Sequence, residues 1–256
     1  MKRMASCSIA LGVATFLSLA TPVAGWAAEQ YAVVALIGDE LTIVTYQPSV
    51  GSNLDGNARQ VVPLRDTSFD EVALRAVERS LPSAARGAEA ILLEASDRNL
   101  YARGPALTVA GEGLTSLLNT LGHDFPDVDA RYLILVSKAR GDMRLMFDNG
   151  ASGEGKLGGL GIYVDRLRRV TDRSSGEESK GFVSAFAYLT VSLIDRRTGA
   201  VVRSHTGSET TIIPSGVSKT TMNAWDAVPA QMKVDAVNTA IRRLIETTVP
   251  LVLAPT

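Results

Sequence analysis

Phe182 to Ile213, FVSAFAYLTVSLIDRRTGAVVRSHTGSETTII, constrains the fold more than any other part of the chain. Two long runs of β-branched, aromatic and hydroxyl side chains flank Asp195-Arg196-Arg197-Thr198-Gly199. An Asp side chain accepts hydrogen bonds from the backbone just after it, and Gly tolerates positive φ, so these five residues spell a turn. The segment is expected to form a long hairpin whose strands lie at the centre of a sheet.

The rest of the chain alternates strand and helix signals. YAVVALI and LTIVTY flank Gly38-Asp39-Glu40, which predicts a hairpin over Tyr31 to Tyr46 with Asp39 as its turn residue. AVVALI is apolar throughout, as in a strand buried on both faces. Gln47 to Asp66 is polar, carries turn signals at Pro48, Gly51, Asp55-Gly56 and Pro63, and is expected as a long loop. Ser68 to Leu81 has helical apolar spacing at Phe69, Val72, Ala73, Ala76 and Val77, with Ser68 and Glu71 as a capping box and Pro82 and Gly87 as stops.

Ala88 to Ala95 is expected as a core strand, and a helix is expected within Ala106 to Leu121, closed by Gly122. Arg131 to Ala139 reads as a strand that Gly141-Asp142 turns into Met143 to Phe147. Asn149 to Gly161 holds six glycines in thirteen residues and is expected as a loop. Leu160 to Leu167 returns to strand, and Asp172 to Gly181 reads as a hairpin tip. Met232 to Leu253 closes the chain as a helix with Val234, Val237, Ala240, Ile241, Leu244 and Ile245 on one face. The expected fold class is α/β (α+β): a mixed sheet with long antiparallel hairpins, flanked by about three helices, in one domain over 28–256.

The N-terminus predicts export. Lys2 and Arg3 precede an apolar run, Ser8 to Pro22, too short for a membrane span. Gly25-Trp26-Ala27-Ala28 offers cleavage after Ala27 or Ala28, so 1–27 is read as a signal peptide and the periplasm as the destination. Cys7, the only cysteine, precedes the apolar run, so it is not a lipidation site and the mature chain has no thiol. Loss of Lys2 and Arg3 leaves 24 basic against 27 acidic residues, a net charge of −3, which excludes a nucleic-acid partner.

Catalytic templates fail one by one. Gly150-Ala-Ser-Gly-Glu-Gly155-Lys156-Leu157 matches a phosphate loop until Leu157 replaces the hydroxyl that holds Mg²⁺, and a strand follows it rather than a helix. His123 beside Asp124, Asp127 and Asp129 has the residue types of a cation site but not the spacing of a calcium loop. Ile37-Gly38-Asp39 after a buried strand is similar to the Gly-Asp element of binuclear metallophosphoesterases, yet two histidines, His123 and His205, cannot complete such a site. No G-x-S-x-G is present for a serine hydrolase. Arg166, Arg168 and Arg169, with Arg196 and Arg197, are read as solvated charge with the makings of a patch for an anionic partner.

Leu193-Ile194-Asp195 followed by Thr198-Gly199, with the preceding strand RYLILVSKARGD, resembles a hairpin of the curli-secretion lipoprotein, penicillin-binding-protein-activator and Tol N-terminal domain group. The resemblance spans Phe69 to Leu253 and implies an envelope adaptor without an active site to transfer. The chain also looks like exported proteobacterial proteins that begin strand-Gly-Asp-strand and continue into a Val-Gly-Ser loop.

Two functions follow. The first is a non-catalytic periplasmic binding or adaptor protein, with no cofactor, whose partner is an envelope protein or a peptidoglycan-associated one. The second is an exported hydrolase or metal-dependent enzyme with a site near Asp39, Asp55 and His123. The candidate functional residues lie in the two loops: Ser49, Gly51, Ser52, Asp55 and Asn57 in the first, and Gly153, Gly155 and Lys156 in the second.

Overall fold

β10 (Glu178–Asp195) is the spine of a nine-stranded mixed sheet. The computed structural model describes residues 29–48, 56–95, 97–102, 111–147, 150–153, 155–171, 176, 178–213 and 224–254. Along one edge β10 pairs antiparallel with β11 (Ala200–Ile213) from Val183↔Ile213 to Asp195↔Ala200, the hairpin expected from the sequence, although β11 pairs with no other described strand and so lies at the edge of the sheet, not at its centre. Along the other edge its two halves take different partners. Phe182 to Tyr188 pair with β9 (Lys156–Thr171), and Leu189 to Asp195 pair with β5 (Tyr132–Lys138). β5 and β9 are therefore laid end to end in one lane. The lane is joined where Gly159 N–H donates to the Ala139 carbonyl (2.9 Å) and Ala139 N–H to that of Tyr188 (2.8 Å).

The next lane is built the same way. β1 (Gln30–Leu36) runs parallel to β5, and β2 (Glu40–Thr45) runs parallel to β9. The expected hairpin over Tyr31 to Tyr46 is thus incorrect, because β1 and β2 follow one another without pairing. β1 is buried on both faces and takes a parallel neighbour on each side, β5 and β4 (Glu89–Leu93). No edge remains for β2. The true hairpin is β2 with β3 (Ala58–Pro63), a strand inside the stretch read as a loop over Gln47 to Asp66.

The glycine-rich stretch Asn149 to Gly161 also contains strand rather than loop alone. β6 (Arg140–Asp142) pairs with the start of β9, and β7 (Leu145–Phe147) pairs with β8 (Gly150–Ser152). Gly141-Asp142 lies within β6, so the chain does not turn there. Glycines of β9 admit close neighbours. Gly161 is the tightest case: a Cβ there would overlap the Thr42 carbonyl and the Phe186 ring.

α1 (Ser68–Ala84) and α5 (Ala230–Leu253) cover one face, in a core that includes Val33, Ile37, Ile134, Ala185, Ala187 and Ile213. α3 (Glu112–Asp124) covers part of the other through Leu114, Leu117 and Leu121. A third cluster, with Met143, Leu157, Phe182 and Phe186, fills the space under the β6–β9 ribbon. α2 (Asn99–Ala102) and α4 (Ala224–Ala227) are single turns. Pro82 and Gly122 lie inside their helices instead of ending them, and the α1 N-cap is Thr67, whose side chain makes no capping bond. Ser68 bonds to Asp66 Oδ1 instead, so the capping box does not form. Val234 is 42% exposed and off the buried face of α5. Among the described residues, no helix is long and apolar enough to cross a membrane.

The β10–β11 turn behaves as its sequence requires. Asp195 Oδ1 accepts from the N–H groups of Arg197 (2.9 Å) and Thr198 (3.2 Å), and Gly199 has φ +67°. Gly199→Ala is expected to cost about 1 kcal/mol in urea unfolding, the strain of a left-handed non-glycine residue.

Candidate functional site at the strand ends

The sequence folds so that β1 becomes a point of divergence. From β1 the chain crosses through α1 to β4 on one side, then through α3 to β5 on the other. The two crossing helices lie on opposite faces. In open parallel sheets a crevice forms outside the carboxyl ends of strands where the connections diverge. Here those ends deliver Ile37-Gly38-Asp39 from β1 and Lys138 from β5.

The first element of the site is Asp70, 3% exposed on the first turn of α1. Its Oδ1 accepts from Ile37 N–H (2.8 Å) and Gly38 N–H (3.0 Å), and its Oδ2 from the Tyr101 hydroxyl (2.7 Å). Asp70 therefore fixes the kink at which β1 passes into β2. Gly38 is required beside it, since a Cβ there would stand 2.7 Å from Asp70 Oδ2. Burial pushes the Asp70 carboxyl up, against the three hydrogen bonds that favour its ionised form. Burial, followed by the hydrogen bond to Asp70, also drives the Tyr101 phenol up.

The second element is a charged triad. Lys138 Nζ lies 2.8 Å from Asp39 Oδ1, 3.0 Å from Asp39 Oδ2 and 2.9 Å from Glu40 Oε1. Burial alone would push the Lys138 ammonium down, but its hydrogen bonds to Asp39 and Glu40 outweigh this and hold it above the usual lysine range. The Lys138 side chain is 16% exposed and that of Asp39 23%. Lys138→Met leaves two half-buried carboxylates facing each other. It is expected to lower stability by about 1–2 kcal/mol in denaturant titrations, less than for a fully buried pair.

These groups border two hollows. A cleft of about 440 Å³ is lined by Asp39, Glu40, Tyr101, Lys138, Arg140 and Gly159, among others. A smaller one of about 210 Å³ lies between Asp70, Tyr101, Thr67 and Glu94. Tyr101 lines both. Arg140 is exposed, and among the described residues it has no ion-pair partner.

The structure gathers only part of what the sequence nominated. Asp39 is in the site, as a partner of Lys138 and not as a hairpin turn residue. His123 is at the far end of the sheet. α3 begins near the strand carboxyl ends and runs back to the start of β5, leaving His123 exposed beside Asp124 at 3.1 Å. Thirteen helical residues span roughly 20 Å, so His123 and Asp39 do not converge. His205 sits exposed on β11 opposite Val191. Among the described residues, no group of three or more His, Cys, Asp or Glu is placed to hold a metal.

Ser49, Gly51, Ser52 and Asp55 lie outside the described residues, as does the proposed signal segment. Asn57 Oδ1 accepts weakly from Gln47 N–H (3.4 Å). Gly153 and Gly155 take positive φ, and Met143 N–H donates to the Gly155 carbonyl (2.9 Å). Lys156 pairs with Asp142 (2.9 Å). These last three shape the β6–β9 ribbon. Arg59, on β3, donates to the Lys156 carbonyl, which brings the flanks of the two nominated loops together.

Asp70, Tyr101, Lys138 and Arg140 were missed by the sequence reading. One signal was present: Asp70 shares helical spacing with Ala73 and Val77, which puts a carboxylate on the apolar face of an amphipathic helix.

No protein-family model matches the chain, and no curated protein sequence matches it. Several solved structures are similar to it only at low sequence identity and with TM-scores below 0.5. The PelC dodecamer from Paraburkholderia phytofirmans is 14% identical over 89% of this chain and 89% of that one, with a TM-score of 0.32. Protein XCC0632 from Xanthomonas campestris is 12% identical over 91% and 89%, with a TM-score of 0.34. A putative lipoprotein from Caulobacter crescentus is 14% identical over 61% and 99%, with a TM-score of 0.27. The group suggested by the Asp195 hairpin is not among these three. At such scores no function passes from any of them to this chain.

Proposed function

We propose that the protein is a non-catalytic, exported binding or adaptor protein of the bacterial cell envelope, without a cofactor, that engages its partner at the strand-end cleft. The observation that carries this reading is the use made of the charged groups there. Lys138 is neutralised by Asp39 and Glu40, and Asp70 is spent on the β1–β2 kink and Tyr101. These groups hold one another in place, which suits a fixed recognition surface. The apolar N-terminal run of the sequence supports export, and the Asp195 hairpin supports kinship with envelope adaptors.

The test is to express the tagged chain in a Gram-negative host and release the periplasm by osmotic shock. The reading expects a mature N-terminus at Ala28 or Glu29 in that fraction, with a defined species retained on native mass spectrometry and lost from Glu40→Gln. Recovery of the uncleaved chain in the cytosol, or turnover of ester or phosphoester substrates that Lys138→Met abolishes, would overturn it.

A further inference from the structure

We propose that the cleft beside Lys138 binds a small zwitterion, an amino acid or short peptide with free amino and carboxylate ends. This deepens the binding-protein reading and rests on it. Three observations meet in the cleft. First, two carboxylates share a single ammonium in the Asp39–Lys138–Glu40 triad, so its acidic end carries one excess negative charge. Second, the Glu40 side chain is 40% exposed and gives its Oε1 to Lys138 (2.9 Å), so its other carboxylate oxygen can accept from an incoming ammonium. Third, Arg140 lines the same cleft, is exposed and has no ion-pair partner among the described residues, and a guanidinium fork matches a carboxylate.

The two kinds of charge in the cleft select together. An anion alone meets the excess charge of Asp39 and Glu40, and a cation alone meets Arg140. A molecule bearing both charges satisfies both. The lining also includes Gly158 and Gly159, which carry no side chains into the space, and Tyr101, whose hydroxyl is committed to Asp70. The 440 Å³ volume falls within the range of small-ligand sites.

The experiment is an amide nitrogen–proton NMR titration of the mature chain with L-alanyl-L-alanine, its N-acetyl form and its C-terminal amide. The free dipeptide is expected to shift the amides of Gly38, Glu40, Ala139 and Gly159 in a saturable manner. Acetylation or Glu40→Gln, and amidation or Arg140→Ala, are each expected to weaken binding about tenfold or more. Arg140 is exposed and the Glu40 side chain is 40% exposed, and an otherwise unchanged spectrum confirms that the variants fold. Equal shifts by the blocked peptides would overturn the zwitterion assignment while leaving a binding cleft. Unmoved cleft amides with the free dipeptide would overturn the site itself, whereas the export and partner experiment above reads the binding-protein role separately.

Discussion

Replacing Asp70 with alanine is expected to lower folding stability by about 3–5 kcal/mol. The change strands Ile37 N–H, Gly38 N–H and the Tyr101 hydroxyl at a buried position, and each unsatisfied donor costs about 1–3 kcal/mol with incomplete additivity. Asp70→Asn keeps one acceptor oxygen and is expected to cost about 2 kcal/mol. The two variants also report on charge. Burial raises the Asp70 carboxyl above its ordinary value of 3.8. Across the interval between the two values, the native carboxyl holds a proton that the unfolded one has released. The group's contribution is thus complete below the ordinary value and lost as pH rises through the native one. Urea unfolding of the wild type relative to Asp70→Asn should show an advantage that shrinks as pH rises above 3.8. An advantage that grows with pH would show that the three hydrogen bonds outweigh burial.

The second large effect is expected at Gly161. In Gly161→Ala the new methyl meets the Thr42 carbonyl on one side and the Phe186 ring on the other. The ring is 0% exposed and has little room to move, and the carbonyl belongs to the neighbouring strand. Overpacking commonly costs about 1–3 kcal/mol, and a clash with backbone places this site at about 3 kcal/mol or more. Adding Phe186→Leu is expected to recover only part of the loss, because the Thr42 carbonyl stays where it is. Full recovery in chemical denaturation would place the whole conflict on the ring.

Much of the fold was legible wherever its cause is local. Asp195 and Gly199 make their turn through their own backbone geometry, and the periodicity of Phe69 to Val77 buries one helix face whatever lies beneath it. The β1–β2 relation was not legible for the same reason. Gly38-Asp39 has the chemistry of a hairpin, but the outcome was decided by Asp70, more than thirty residues away, which holds the Ile37 and Gly38 amides. The glycines of 149–161 read locally as flexibility. Their role is set by neighbours such as Thr42 and Phe186 that they must admit. The candidate site shows the same limit. Asp39 drew notice through its own neighbours, whereas Lys138 and Tyr101 became visible only when β5 and α2 were placed beside β1.

The most direct test of the central claim, that the strand-end cleft is where this protein engages its partner, is site-specific photo-crosslinking in living cells. A photoreactive residue is placed at Glu40 or Arg140 on the cleft, and at His123 at the opposite end of the sheet. The expected result is a discrete envelope-fraction adduct from the two cleft positions and none from His123. Adducts from His123 with none from Glu40 and Arg140 would contradict it.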